Sequence, residues 1–356
     1  MPALSKSDSE VVYITRGLGI ILVVVGHYLW HPNWTWSPYL FHMPLFFLLG
    51  GIVAKPIENF HRWVTKVVRA HLGYYIVWYT LLALLTWAIV SSWQTSIVFY
   101  LGQGLESLWL PLAHNSHNNS LFMVGWFIIA YGLVSTLFSL FITFVGSRVS
   151  KHSVVVLGLL IGYLGIEVVA PYYHLERNWP WNLLCQVCVG WMFFSLGFVL
   201  KDVIKHLASV LCLVVSWSIV AMLVMLGLAH ELGMSWSQYP DGFIGHVAVS
   251  LLGSAGIIAV AHACHKLAGS HHLMRIGQWS KPIMTLHMTF FVILDLIFAK
   301  LGLFDGQAIS ALNHYISPLA FWLYLLVGIY GPIAVERWII RLKGVSVFTL
   351  QKSRQY

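Results

Sequence analysis

Apolar runs long enough to cross a bilayer as helices recur ten times along this chain. They lie near 12–30, 39–54, 71–92, 121–145, 153–170, 183–200, 207–229, 243–264, 282–299 and 316–336. That recurrence leaves little choice of fold, because a backbone in hydrocarbon must pair its own polar groups. The expectation is an all-α integral membrane protein with ten transmembrane helices. Charged residues make up only 9% of the sequence and hydrophobic residues 59%, against about a quarter charged in a soluble domain. No stretch has the composition of a separate soluble domain. Residues 1–356 therefore read as one membrane domain with short tails at 1–11 and 343–356. The opening MPALSKSDSE has no signal-peptide cleavage pattern, so the first run is expected to stay in the mature protein. The second run is short, and the Trp-containing segment 97–112 is amphipathic and reads as interfacial rather than spanning.

The charges orient the spans. With the N-terminus in the cytoplasm and alternating crossings, eighteen basic residues fall inside and only Arg177 and Lys300 fall outside. That bias is the one expected of an insertion signal, and it places both termini in the cytoplasm. The acids Glu106, Glu176, Glu231, Asp241 and Asp305 fall outside. A net charge of +8 then describes an inner face suited to anionic headgroups and anionic cytoplasmic ligands. It is no sign of nucleic acid, since the cations are spread over several loops. Cys185, Cys188, Cys212 and Cys264 all lie in apolar runs. The C-x-x-C at Cys185 and Cys188 lacks turn chemistry and reads as small core residues. Gly158 and Gly162 form a small-residue pair that allows close helix contact. No internal repeat suggests the two halves of a transporter.

Ionisable groups at membrane depth are costly and point to function. The first run, RGLGIILVVVGHYLW, carries Arg16 and His27 eleven residues apart. On a continuous helix they share a face, separated by about 16 Å along the axis. A neutral buried imidazole is a usable general base, which transfer of an acyl group to a hydroxyl requires. Arg16 reads either as a snorkelling anchor or as a ligand for phosphate or carbonyl oxygens of a cytoplasmic donor. Arg62, Lys66 and Arg69 are spaced by four and three on one helix face, as a solvated stripe or a phosphate-binding patch. His42, in FHMPLFFLLGG, either faces a second substrate or packs under the outer loop. His287 and Asp295 lie in one run about 80° apart around the helix, so each needs a partner elsewhere. Asp295 or Glu167 could orient an imidazole.

Two histidine-rich stretches invite a metal reading: HNSHNNS at 114–120, and His262, His265, His271 and His272 with Cys264. Neither has a closed ligand set at the usual spacing, and no metal is expected. His114, Asn115, His117, Asn118 and Asn119 could instead meet a sugar from outside. No P-loop, nucleophile elbow or dinucleotide fingerprint occurs in a fitting context.

The R-x10-H spacing of Arg16 and His27 resembles the main motif of the acyltransferase type three family of integral membrane acyltransferases. RGLGIILVVVGH followed by FHMPLFFLLGG is similar to its fucose 4-O-acetylase-like subgroup. GWFIIAYGL at 125–133 and IGQWSKPIMTLHMTFF at 276–291 resemble further family segments. The resemblance implies an acyl-CoA donor, usually acetyl-CoA, on the cytoplasmic side and a glycan hydroxyl as acceptor. It implies His27 as catalytic base and Arg16 as a catalytic and donor-positioning residue. Arg62, Lys66 and Arg69 would bind the donor, and His42, Trp126, His287 and Asp295 the acceptor. The family's R-x-x-R pattern falls on Lys66-Val-Val-Arg69, where Lys keeps the charge but loses the bidentate fork. No extra hydrolase-like domain is present in this sequence, so acceptor recognition would rest with the helices and outer loops, or with a glycan-assembly partner or second copy of the chain. The expectation is a multi-pass O-acetyltransferase of the bacterial inner membrane, in contact with lipid and with no nucleic-acid partner. The rivals are a glycan or organic-acid transporter with a histidine proton relay, and the same enzyme class with a succinyl or other acyl donor.

Overall fold

A computed structural model describes residues 4–28, 37–103, 106–146, 148–201 and 204–341. Among the described residues the secondary structure is helical, with only two isolated bridges, Phe99 to Asn119 and Gly233 to Gln238. The helices are α1 (Lys6–Gly26), α2 (His42–Ile52), α3 (Phe60–Ser92), α4 (Glu106–Ala113), α5 (Gly125–Phe144) and α6 (Lys151–Glu176). There follow α7 (Trp179–Leu200), α8 (Val210–Met225), α9 (Gly242–His265), α10 (Ser270–Gln278), α11 (Ser280–Lys300) and α12 (Pro318–Arg341). Local chemistry sets several ends. Asn59, Ser150 and Ser209 cap α3, α6 and α8 by accepting the backbone N–H of Arg62, Ser153 and Cys212. Arg177, with φ of 54°, closes α6 in the left-handed region.

Eight of the described helices are long and apolar enough to cross a membrane, fewer than the ten apolar runs. The other two runs form shorter helices. α2 has 11 residues and α8 has 16, or about 16 and 24 Å at 1.5 Å per residue. Both fall short of the roughly 30 Å hydrocarbon layer. α2 is cut short by its flanks: a 3₁₀ turn at Pro38–Leu40 occupies its front, and the polar Lys55-Pro56 follows it. The first helix also differs from its run. It begins at Lys6, inside the expected polar tail, and ends at Gly26, as suits the weakest helix former after proline. Segment 97–112 is extended at its start, where Tyr100 N–H donates to Asn118 and Val98 accepts from Ser120, and becomes helical at α4. The expected tail at 343–356 lies outside the described residues. Large side chains such as Leu84, Trp87, Leu319 and Trp322 are about 60–80% exposed along α3 and α12, as a lipid-facing surface allows.

Two compact units emerge, each assembled from separate stretches of chain: one from residues 1–26, 33–56 and 133–280, the other from 27–32, 57–132 and 281–356. In the first unit, helices meet at glycine. A Cβ on Gly197 of α7 would lie 1.9 Å from the Leu48 carbonyl oxygen of α2, and one on Gly51 would lie 2.0 Å from that of Phe194. Gly277 and Gly17 bring α10 and α1 together in the same way, with gaps of 1.9 Å to Tyr13 and 2.3 Å to Leu273. Such backbone contact replaces the hydrophobic drive that lipid denies to helix pairs. Cys185 donates its thiol to the Gly165 carbonyl, in keeping with a packed core residue. Glu167 accepts the Phe243 N–H at 2.6 Å where α9 begins, and among the described residues it orients no imidazole. Asp241 accepts from both the backbone and the ring of His230.

The second unit packs Tyr74, Trp78, Leu82, Phe122, Leu286, Val292 and Ile309 into one core. α3 contains a π-helical turn at Val68–Gly73. Lys281 opens α11 by donating to the Ala70 carbonyl, with its ammonium 3.6 Å from the Tyr74 ring centre. The 114–120 loop is held from within. Asn118 donates to Tyr79 and Tyr100, and Asn119 accepts from Thr86 and Leu121, both asparagines being fully buried. Those two are structural supports rather than the outward sugar contacts expected from sequence.

Candidate active site

The second unit gathers three imidazoles, and their chemistry follows from what each is bonded to. His287 is fully buried in α11. Its Nδ1 lies 2.9 Å from the Ile283 carbonyl one turn earlier. A carbonyl only accepts, so Nδ1 carries the proton and the neutral ring keeps its lone pair on Nε2. That Nε2 is buried with no hydrogen-bond partner among the described residues. The half-buried His27, one residue past the end of α1, sets its ring edge-on to His287 with centroids 4.9 Å apart. The predicted catalytic histidine and the predicted acceptor-side histidine thus stand together.

The predicted Asp295 has a different place from the one expected. Its Oδ2 accepts Nδ1–H of His314 at 2.7 Å, and its Oδ1 accepts the Tyr315 N–H at 3.1 Å and the Tyr324 hydroxyl. Both oxygens carry hydrogen bonds within the protein, and Oδ2 ties Asp295 directly to His314. His314 is held on further sides. Tyr28 lies parallel to it at 6.3 Å, Phe291 meets it edge-on at 5.1 Å, and the Tyr28 hydroxyl donates to the Tyr315 carbonyl. Its Nε2 is also buried with no partner among the described residues. An imidazole oriented through Nδ1 by a carboxylate, with Nε2 presented as a lone pair, is the arrangement of a group that takes a proton or a hydrogen bond from a hydroxyl.

His314, Tyr28 and Tyr324 escape a reading of the sequence. His314 lies in a loop before α12, where no helical periodicity marks it. One signal was available: Asp295 and His314 both lie near the connection between α11 and α12, and an antiparallel hairpin brings such residues together.

The remaining candidates are dispersed. Trp126 belongs to the same unit and is buried against Phe127 at 5.8 Å. Arg62, Lys66 and Arg69 are exposed on α3. α-Helical winding ends at Val67, so Arg69 sits in the π-turn and the four-and-three spacing does not carry through as one regular face. Arg16 and His42 belong to the first unit. Arg16 is half-buried, its guanidinium 5.8 Å from the Tyr13 ring centre. His42 is buried, donates Nδ1–H to Pro38 at 2.7 Å and meets Tyr39 edge-on; these contacts are those of packing under a loop. Among the described residues no group of three or more His, Cys, Asp or Glu is placed to hold a metal ion.

The model of the acyltransferase 3 family, described as an acyltransferase domain, matches residues 12–337. The chain belongs to the acyltransferase 3 family. The match runs from α1 to α12 and takes in both units and all three imidazoles. No curated protein and no solved structure matches it. As a family member with several membrane-length apolar helices, the protein is a multi-pass membrane acyltransferase.

Proposed function

We propose that this acyltransferase moves an acetyl group from cytoplasmic acetyl-CoA to a hydroxyl of a cell-surface or lipid-linked glycan, in a bacterial inner membrane with both termini cytoplasmic. The observation that carries the reading is the pairing of His27 with His287. Acyl transfer needs a base at the attacking hydroxyl, and a general base contributes roughly 10²–10⁴-fold. His27 takes that role: it accepts the hydroxyl proton as the oxygen attacks the thioester carbon, the C–S bond breaks, and the proton passes to the departing CoA sulfur. His287, neutral and fixed by the Ile283 carbonyl, holds the ring of His27 from the side. Arg16, Arg62 and Arg69 serve the phosphates and carbonyl of the donor, the guanidinium fork suiting both, and Lys66 adds a point charge for phosphate. Trp126, which belongs to the same unit as His27 and His287, would offer the acceptor an aromatic surface.

The test uses the purified full chain in sealed vesicles of mixed zwitterionic and anionic lipid. Acetyl-CoA labelled in the acetyl group is supplied on one side and a methyl hexopyranoside on either side. The reading expects label on the sugar, only when the donor faces the cytoplasmic surface. Sugar flux without acyl transfer would favour a transporter. Label from succinyl-CoA in preference to acetyl-CoA would change the donor while keeping the enzyme class.

A further inference from the structure

His314 and its supports are not used in the proton transfer above, yet they form a tightly organised polar group in the second unit. Asp295 receives three donors, from His314, Tyr315 and Tyr324. A carboxylate so furnished is fixed in place, and its Oδ2 faces Nδ1 of His314 at 2.7 Å. The ring is fixed by Tyr28 on one face and by the edge contact with Phe291. What is left for bonding is one lone pair, on a buried Nε2 without a partner among the described residues. Leaving such an acceptor unmet in a buried site is unfavourable, so the arrangement selects for a ligand that brings a donor. The neighbouring Leu312, Asn313 and Ile316 are exposed, although His314 itself is buried. Tyr28, which stacks on His314, directly follows His27 in the chain.

Resting on the acyl-transfer reading, we propose that His314 Nε2 binds a second hydroxyl of the acceptor, so that the enzyme selects polyhydroxy substrates. One hydroxyl gives its proton to His27 and is acylated. The other donates a hydrogen bond to His314 and stays unmodified. His314 is then a specificity-determining residue, and Asp295 a positioning residue that fixes its tautomer. A site built to accept from a hydroxyl discriminates strongly against the analogue that lacks it. A simple monohydric alcohol, or a sugar with the relevant hydroxyl removed, should therefore be a poor acceptor.

The experiment measures kcat and KM in the full-length protein, with acetyl-CoA as donor. The acceptor is a methyl hexopyranoside that the wild type acetylates, together with its monodeoxy analogues. Variants are His314→Phe, His314→Gln, which keeps an acceptor oxygen, and Asp295→Asn. Acetyl-CoA affinity reports that each variant is folded. His314→Phe is expected to raise acceptor KM by about 10- to 100-fold, the value of one lost hydrogen bond in a buried site. Its kcat should change far less, and His314→Gln should recover part of the loss. On one monodeoxy analogue wild type and His314→Phe should become equal, because the partner hydroxyl is already gone. Unchanged KM in a variant that binds acetyl-CoA normally overturns the proposal. So does a collapse of kcat at constant KM, which would make His314 a base instead. If the wild type acetylates no hydroxyl at all, the acyl-transfer reading itself falls and this proposal with it.

Discussion

Replacing Gly197 by alanine tests the packing of the first unit at one of its closest helix contacts. The added Cβ would lie 1.9 Å from the Leu48 carbonyl oxygen, 2.8 Å from its carbon and 3.0 Å from its Cα. All three are backbone atoms of α2, so no side chain can turn aside. Real Cβ contacts do not fall below 3.0 Å, so the two helices must separate by at least 1.1 Å. Overpacking of this kind costs about 1–3 kcal/mol, and a backbone-to-backbone clash belongs at the upper end. Against it stands the helix propensity of alanine over glycine, about 1 kcal/mol. A net loss of about 2 kcal/mol is expected, read as a lower unfolding midpoint in detergent by tryptophan fluorescence. Gly73→Ala is the control, since its Cβ meets only the Val68 carbonyl oxygen at 3.5 Å, an ordinary contact. It should leave stability unchanged or slightly raised. Gly51→Ala should behave like Gly197→Ala, because its Cβ faces the Phe194 carbonyl at 2.0 Å. The double variant should lose less than the sum, since helices already separated have made room for the second methyl. A Gly197→Ala protein as stable as wild type would refute the close-contact argument.

Two further outcomes follow from the buried polar groups. Asn119→Ala removes the acceptor of the Leu121 N–H and of one Thr86 bond, and should cost about 1–3 kcal/mol, measured as a lower midpoint with acetyl-CoA affinity retained by the folded fraction. Cys185, buried with its thiol donated to Gly165, should resist a membrane-permeant maleimide until the protein is denatured; labelling at the denatured rate in the native protein would contradict its place in the core.

Hydropathy made the helices legible because each span must hide its backbone from lipid over a known length. The runs at 183–200, 243–264 and 282–299 lie within α7, α9 and α11 to a few residues. Ends governed by particular residues were less legible: the chain leaves α1 at Gly26, and α3 extends back to Phe60 through a π-turn. The site divides in the same way. His27 and His287 stood out as imidazoles in apolar sequence, where their cost marks them. Asp295 stood out for the same reason, but its partner did not, since His314 sits in a polar loop where a histidine is unremarkable. Pairing between a helix and a loop depends on tertiary geometry that no periodicity encodes. The asparagines of the 114–120 loop misled in the opposite sense. Their polarity suggests solvent and sugar, whereas their hydrogen bonds close the loop on Tyr79 and Thr86.

The role of His27 as base is tested most directly by the turnover of His27→Ala, measured alongside its affinity for acetyl-CoA. Donor binding should stay within a few-fold of wild type while acetyl transfer falls by roughly 10²–10⁴-fold, the contribution of a general base. Transfer at the wild-type rate by a His27→Ala protein that binds acetyl-CoA normally would contradict that role.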